Sequence, residues 1–557
     1  MRRVRAIAAA LFVAPLLLLT SAPAGAAPSE TTSVRLLAIT DLQGTLEAPV
    51  GESSNVTEPN GRRVEAGGVA YLAAYLEQLR HNAPKSLLYS VGDNWGASGV
   101  ASSLFHDEPT VDVLGHLDLA ASGVGNHELD AGAAEFARLR GGGCHPDTGC
   151  RYSDTFGGAT FPLVASNTTT ADGTPVAMPF SVDYVDGIPV GVISALPADT
   201  PAALPPGVRD EFRFADELDA IDATARTLDY LGVSAIVLLL HESDDAGSPA
   251  PPCDERQGPG HRLAAAASPL IDVVFTGDNA ARYDCTVTDP DGNPRVVMNP
   301  HSRGQGIAVA DLVLDHATGD VVRERTTSFN QTVAHDITPD AEVAAIVDRA
   351  NEKAADQAAR RVGVLAAPMS RRTGPTGESA LGNLVADAQL SAARVAGAQL
   401  ALTNPGGVRA DLDGDAEGVV TFADAHAVQP FENDLVVVTL TGEQLKEALE
   451  QQIQDRDGQA IERILAPSQG FSYTFEAAAR PGDRVSGLAL DGEAIALDRD
   501  YRVALNRFLA DGGDGFRALG SGRDRVQVGT DLAAFVDYLR VNSPVPVPST
   551  ERISAPT

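Results

Sequence analysis

Basic residues and long apolar runs are scarce in this sequence, and each shortage excludes a class of partner or protein. Lysine accounts for only three of the 42 basic residues, and the formal net charge is −33. Such a surface repels nucleic acid and anionic membranes, so we expect neither as a partner. No apolar run after residue 30 is long enough to cross a bilayer, so we expect no membrane span in the mature protein.

The first 26 residues have the layout of a secretory signal peptide. Three arginines near the start precede an apolar run over residues 6–19, and Ala24-Gly25-Ala26 offers small residues for cleavage. An uncleaved anchor helix is the alternative, which the shortness of the apolar run disfavours. We therefore expect a secreted, extracellular protein.

The four cysteines are an even number, which is typical of disulfides in an exported protein. Three pairings are possible. A bond between Cys144 and Cys150 closes a short glycine-rich loop and leaves Cys253 with Cys285, and this is the pairing that we favour. Zinc binding by these cysteines is not expected, because no C-x-x-C spacing occurs.

The chain is too long for one hydrophobic core, which predicts more than one domain. Short apolar strands alternate with helical patterns, and this alternation indicates an α/β fold. We predict a first domain over residues 33–335, a connector helix over 336–360 and a second α/β domain over 361–545.

Polar residues occur where several predicted strands of the first domain end. Strands over 33–41, 86–93, 120–126, 234–241 and 271–278 lead to Asp41, Asp93, Asn126, His241 and Asp278. One such residue alone is more often a helix cap or a turn residue. Because the carboxyl ends of parallel strands share one edge of a sheet, five together predict a site, and their oxygen and imidazole groups suit divalent metals.

His127 directly follows Asn126, and Asp130 lies three residues further on. A carboxylate at that distance can orient the imidazole and favour its protonated form. A protonated histidine stabilises or protonates the leaving oxygen in ester hydrolysis.

Eight short blocks, in order, resemble those of the 5′-nucleotidase family. In the first half these are T-D-L-Q-G (40–44), G-D-N (92–94), G-N-H-E-L-D (125–130) and L-L-H-E (239–242). In the second half they are G-E-S-A-L-G-N-L (377–384), N-P-G-G-V-R (404–409), Q-P-F (429–431) and F-L-A-D-G-G-D-G-F (508–516). The resemblance implies a four-layer α/β/β/α metallophosphoesterase sandwich followed by an α/β nucleotide-binding domain.

The resemblance also assigns roles in the first domain. Six residues match metal-ligand positions: Asp41, Gln43, Asp93, Asn126, His241 and Asp278. Asp93 would bridge two metals, and His127 with Asp130 matches the catalytic pair of the family.

In the second domain the resemblance assigns substrate contacts. Six residues match them: Asn404, Gly407, Arg409, Phe431, Asp514 and Phe516. Arg409 would contact phosphate, Asp514 the ribose, and Phe431 with Phe516 would sandwich the base, since aromatic faces accept any base.

Three positions depart from the family pattern. Gln43 and Ala280 replace histidines, and Asp278 replaces a third. Ala280 cannot bind a metal, and a glutamine carbonyl is a weaker ligand than imidazole. With oxygen donors in excess, we expect one or two divalent ions and favour Mn, Mg or Ca over Zn. His301 could supply a missing ligand or be an ordinary surface histidine.

We therefore predict a secreted metal-dependent phosphoesterase that hydrolyses nucleoside 5′-monophosphates or related nucleotides. One alternative is a nucleotide-binding protein of the same fold with a decayed or single-metal site. Another is a nucleotide-sugar hydrolase or a cyclic-nucleotide phosphodiesterase, because fold does not determine the leaving group. The oligomeric state is left open.

Overall fold

A computed structural model of the protein describes residues 30–49, 54–58, 61–205, 207–244, 252–253, 258–456 and 459–555. The predicted signal peptide lies outside the described residues. The disulfide pairing is confirmed, with Cys144 bonded to Cys150 and Cys253 to Cys285 at Cα–Cα distances of 4.6 and 5.5 Å. No helix within these ranges combines the length and apolar content needed to cross a bilayer.

Two six-stranded sheets form the centre of the first domain. The first sheet has the strand order Thr327–Thr332, Gly306–Asp315, Thr31–Ile39, Ser86–Ser90, Ala121–Gly123 and Leu163–Val164. The second has the order Arg282–Thr288, Pro294–Pro300, Val273–Thr276, Ala235–Leu240, Ile188–Ala195 and Phe180–Val185. In the first sheet the strands Thr31–Ile39, Ser86–Ser90 and Ala121–Gly123 run parallel, and Gly306–Asp315 pairs antiparallel with Thr31–Ile39. In the second sheet the four central strands all run parallel.

The two sheets pack face to face, and helices cover their outer faces. Alternate residues of the strand Thr31–Ile39 divide between the two cores, since side chains of a strand point to opposite faces. Leu36 and Ala38 contact the second sheet, whereas Leu37 and Ile39 face the helices. The helices of this domain are Val69–Asn82, Val100–Ser103, Glu108–His116, Gly132–Gly141, Glu217–Tyr230 and Pro259–Ala266. The expected four-layer α/β/β/α order is thereby confirmed.

The helix Ala341–Ala358 follows the first domain and packs on its outer helical layer. Asp340 caps it by accepting hydrogen bonds from the amides of Glu342 and Val343. Its buried residues Val343 and Ile346 belong to the same core as Leu37. The predicted connector helix is therefore part of the first domain's packing, although its sequence shows no strand partner.

The second domain is built on a five-stranded sheet and a four-stranded sheet. The first has the order Ala466–Pro467, Leu400–Thr403, Asp500–Asn506, Asp434–Thr441 and Arg523–Thr530, and the second Glu493–Ala494, Val485–Leu490, Phe471–Phe475 and Ile553–Ser554. Its helices are Ala380–Ala393, Phe422–Val428, Gly442–Glu450, Arg507–Ala510 and Asp531–Val541. Four two-stranded ribbons complete the described part of the chain: Asn55–Thr57 with Arg63–Glu65, Thr168–Thr170 with Phe212–Phe214, Arg361–Val364 with Val419–Thr421, and Ile453–Arg456 with Gln459–Glu462.

The strands that lead to the site end earlier than the sequence predicted. Pairing stops at Ile39, Ser90 and Thr276, two or three residues before Asp41, Asp93 and Asp278. The reason is the backbone, because each of these three aspartates has a positive φ, which a paired strand does not allow.

Candidate active site

Strand ends from both sheets bring three potential metal ligands together. Asp41, Asp93 and His241 are buried, and one ligand atom of each lies within 4.8 Å of the others. Asp41 Oδ1 and both ring nitrogens of His241 have no hydrogen-bond partner, although His241 Nε2 lies 3.3 Å from Asp93 Oδ2. Unpartnered polar atoms are costly in a protein interior. Carboxylate and imidazole donors in this arrangement fit a divalent cation.

Four of the six predicted metal-ligand residues have a left-handed backbone. The φ angles are 49° at Asp41, 48° at Gln43, 53° at Asp93 and 75° at Asp278. This conformation is uncommon for residues other than glycine and costs on the order of 1–3 kcal/mol each. Hydrogen bonds between the loops hold it, since Asp41 N–H donates to Gly92 O and Gln43 N–H to Asp93 O, at 3.0 and 2.9 Å. Such strain is typical of a functional site.

Glu128, which the sequence analysis did not single out, organises these loops. Its carboxylate accepts hydrogen bonds from the amides of Gly125, Asp93 and Asn94 at 2.6, 2.7 and 2.6 Å. Gly125 must be glycine, because a Cβ there would lie 2.2 Å from Asp93 Oδ1 and 2.7 Å from His241 Cε1. The G-N-H-E block therefore positions ligands as well as supplying them.

The ionisable groups of this cluster shift one another's pKa. Burial raises the pKa of Asp41 to about 8, against the opposing charge of His241. Burial also acts to raise the pKa of Asp93, but the charges of His241 and His127 outweigh it and hold that pKa well below its ordinary value. The carboxylates in turn raise the pKa of His241 despite its burial. A cation bound here would favour the ionised carboxylate of Asp41 and the neutral imidazole of His241, since metal ligands bind in their deprotonated forms.

His127 and Asp130 form the predicted pair. Asp130 Oδ2 lies 2.6 Å from His127 Nδ1, and the His127 amide donates to Asp93 Oδ1 at 2.8 Å. Burial lowers the pKa of His127, but the carboxylates of Asp130 and Asp93 outweigh it and raise that pKa to about 9. The ring is therefore an imidazolium near neutral pH and can donate through Nε2.

One cavity of about 290 Å³ lies between the two domains beside His127. The first domain contributes Gln43, Asn126, His127, Asp130 and Asp278, and the second contributes Asn404, Gly407, Arg409, Phe431, Phe508 and Asp514, among others. The volume suits a small molecule of nucleotide size. All but one of the predicted substrate contacts face this cavity.

Phe516 is the exception, and its assignment as a base contact is wrong. The side chain is fully buried in the core of the second domain and does not line the cavity. Phe508, at the other end of the same F-L-A-D-G-G-D-G-F block, is half-buried and lines the cavity with Phe431. Gly513 lies beneath it, because a Cβ there would approach the Phe508 ring to 2.6 Å.

The polar contacts of the second domain are joined to one another. Asn404 Nδ2 donates to Asp514 Oδ2 at 2.6 Å, and Asn506 Nδ2 donates to Asn404 Oδ1 at 3.1 Å. Arg463, another residue that the sequence analysis missed, has its Nε 3.7 Å from Asp514 Oδ1. These contacts orient Asp514 toward the cavity.

Arg409 reaches across the domain boundary. Its Nη2 donates to Gln43 Oε1 at 3.1 Å, its Cζ lies 5.6 Å from the centroid of the Phe431 ring, and its buried Nε has no hydrogen-bond partner. The Phe431 ring also stacks on His127, with centroids 5.7 Å apart. A phosphate contact for Arg409 thus falls beside the candidate catalytic pair.

The loop after the strand Val273–Thr276 is more open. Asp278 and Ala280 are exposed, and Asp278 acts electrostatically on Asp41 and His241. Both line a neighbouring cavity of about 380 Å³ that also includes His301. His301 is partly buried there, so it is not an ordinary surface histidine.

A larger groove of about 710 Å³ lies elsewhere on the second domain. Its lining includes Glu443, Glu447 and Glu450, and none of the predicted site residues. Lys446 and Arg484 also line it, so its charges are mixed. The smaller cavity between the domains is the better candidate because it contains the predicted site residues.

Sequence and structure comparisons identify relatives of this chain. Residues 357–521 match the family model described as 5′-nucleotidase, C-terminal domain. A 5′-nucleotidase from the venom of Gloydius brevicauda is 26% identical over 85% of this chain and 81% of its own. The structure of a 5′-nucleotidase precursor from Thermus thermophilus superposes with a TM-score of 0.76 at 24% identity, covering 94% of this chain and 99% of that one.

Bacterial relatives include longer proteins. Endonuclease YhcR of Bacillus subtilis is 29% identical over 92% of this chain, and the chain spans 40% of that protein's length. Cell wall protein Lmo0130 of Listeria monocytogenes is 28% identical over 92% of this chain and 68% of its own.

The fold and the matched domain together define a two-domain phosphoesterase architecture with a C-terminal nucleotidase domain. Residues 357–521 match the C-terminal domain of the 5′-nucleotidase family, and the chain is similar to 5′-nucleotidases over both domains, as its blocks indicated.

Proposed function

We propose that this protein is an exported, metal-dependent phosphoesterase that hydrolyses nucleoside 5′-monophosphates or related nucleotides to nucleoside and phosphate. One observation carries the proposal: the His127–Asp130 pair faces the same cavity as Arg409, Phe431 and Phe508 of the other domain. A cavity that joins an acid catalyst, a phosphate contact and two aromatic faces matches the three parts of a nucleotide.

Each part of the substrate has a counterpart in the cavity. The base would stack between Phe431 and Phe508, and the ribose would contact Asp514. Arg409 presents a planar fork of donors to the phosphate. The hydrogen bond from Arg409 to Gln43 across the domain boundary supports a phosphate position next to His127.

The bond-breaking step then depends on His127. Water would attack the phosphorus and form the new P–O bond, while the His127 imidazolium protonates the ester oxygen that leaves with the nucleoside and Asp130 holds the ring in place. A divalent cation, when bound by Asp41, Asp93, Asn126, His241 and Asp278, would supply Lewis-acid charge to the phosphoryl group.

Export is part of the proposal. It is supported by the signal-like first 26 residues, by the two disulfides and by relatives described as a cell wall protein and a venom enzyme.

The test is release of inorganic phosphate from AMP by protein stripped of metal and resupplied with Mn²⁺, Mg²⁺, Ca²⁺ or Zn²⁺. We expect metal-dependent release that falls by at least about 100-fold in His127→Asn, since general acid catalysis contributes about 10²–10⁴-fold. His81→Ala, which changes an exposed histidine of the helix Val69–Asn82, is the matched control and should retain full activity.

The outcomes separate the alternatives. AMP binding without release under any metal would replace the proposal with a nucleotide-binding protein. Release from a nucleotide sugar or a cyclic nucleotide, but not from AMP, would assign the other phosphoesterase activity.

A further inference from the structure

The resemblance assigns a first metal to Asp41 and the bridging Asp93, with Gln43 in place of a histidine, so this metal has few ligands left. Ala280 has no ligand atom, and Gln43 Oε1 already accepts a hydrogen bond from Arg409 Nη2 at 3.1 Å. The remaining candidates, Asp41 and Asp93, lie in one group with His241. The donors present therefore fit one cation, and they do not fit a pair.

Arginines converge where the first metal would lie. Arg303, Arg371 and Arg409 line one cavity with Asp41 and Asp278. Within the described ranges, no carboxylate oxygen lies within 4.0 Å of these three guanidinium groups. Three positive charges that share a cavity without ion pairs indicate a site for an anion.

Arg303 is the arginine that the first domain itself supplies, and its backbone is hydrogen-bonded to that of Asp41, a candidate metal ligand. Its amide donates to Asp41 O at 2.8 Å, and its Nη2 donates to Arg409 O at 3.1 Å. It comes from the loop after the strand Pro294–Pro300, outside every block that resembles the family. The side chain thus reaches the Arg409 backbone, and it lies in the cavity of about 380 Å³ that shares Gln43, Asp278 and Arg409 with the cavity proposed for the nucleotide.

We propose that this site uses one divalent cation and that Arg303 makes the cationic contact to the phosphate that a first metal would otherwise make. Guanidinium stays charged at any physiological pH and binds phosphate through two parallel N–H groups. A fixed side-chain charge therefore replaces an exchangeable ion. This inference rests on the proposed function for its substrate, but it concerns equilibrium binding.

The first measurement is the metal content of the wild-type protein, equilibrated with Mn²⁺, desalted and analysed by mass spectrometry. We expect one ion per chain. The gain-of-site variant Gln43→His/Ala280→His/Arg303→Met should bind two. Two ions in the wild-type protein would overturn the inference.

The second measurement is the affinity of the Mn²⁺-loaded protein for inorganic phosphate by calorimetry. Arg303→Met should weaken binding by about 10–100-fold, because a hydrogen bond to a charged group contributes that much. Arg303→Lys keeps the charge and should fall between the two. Arg325→Met, at an exposed arginine, is the control and should bind as the wild type does.

Equal phosphate affinity in the wild type, Arg303→Met and Arg303→Lys would overturn the role of Arg303. Neither measurement requires turnover. A protein that binds one ion and phosphate through Arg303 but releases no phosphate from AMP would thus refute the proposed function and leave this inference standing.

Discussion

Two phenylalanines eight residues apart in one block should respond in opposite ways to the same substitution. Phe508 is half-buried, lines the cavity between the domains and rests on Gly513. Phe516 is fully buried among core residues such as Leu509 and Leu519. We predict that Phe508→Ala weakens nucleotide binding with little effect on stability, whereas Phe516→Ala destabilises the second domain.

The magnitudes follow from the two environments. Stacking of a base on an aromatic ring contributes about 1–3 kcal/mol, so Phe508→Ala should raise the Kd for AMP by about 5–150-fold. Removal of a fully buried phenylalanine costs about 3–5 kcal/mol, so Phe516→Ala should lower the free energy of unfolding by that amount.

Calorimetric titration with AMP in the His127→Asn background, which slows turnover, measures the first effect. Urea unfolding followed by circular dichroism measures the second. An unchanged Kd for Phe508→Ala, together with a weakened Kd in a stable Phe516→Ala protein, would refute this assignment of the two rings.

Two buried groups outside the cavity give further predictions. Burial lowers the pKa of His426 to about 4, and its Nε2 lies 3.1 Å from Ser103 Oγ of the other domain. Since this pKa lies below the unfolded value, the stability contributed by the neutral ring is complete above about pH 6.5 and decreases toward pH 4, by about 2 kcal/mol at pH 5. His426→Gln should remove this component, which urea unfolding at about pH 7.5 and pH 5 would detect; an identical pH dependence in the variant would contradict it. Glu128→Gln leaves buried amides poorly paired and should destabilise the first domain by about 2–4 kcal/mol, and an unchanged urea midpoint would show that those hydrogen bonds are not needed.

The site at the ends of the strands was predictable from sequence, because apolar strand patterns end there in residues whose side chains can bind a metal. Apolar runs end at Asp41 and Asp93, and parallel strands of one sheet bring such ends together. The strand before His241 belongs to the second sheet, so His241 joins them only because the two sheets pack face to face. The strand limits were less accurate, since a left-handed residue stops pairing before the pattern of apolar residues ends.

Other parts of the site depend on tertiary contacts that local sequence does not encode. Phe508 and Phe516 flank the same glycine-rich turn, and only the fold shows which ring faces the cavity. Glu128 holds the loops of the site because three backbone amides donate hydrogen bonds to its carboxylate, and this contact depends on the fold. Arg303 lies in a loop with no motif, so its role could not be predicted from sequence. The structure indicates it, because Arg303 Nη2 donates to the Arg409 carbonyl of the other domain.

The most direct test of the central claim is a crystal structure of the protein with Mn²⁺ and a non-hydrolysable analogue of AMP. We predict that the base lies between Phe431 and Phe508, with the phosphate analogue in contact with Arg409 and His127. A nucleotide bound away from these residues, such as in the groove lined by Glu443 and Glu447, would contradict the account.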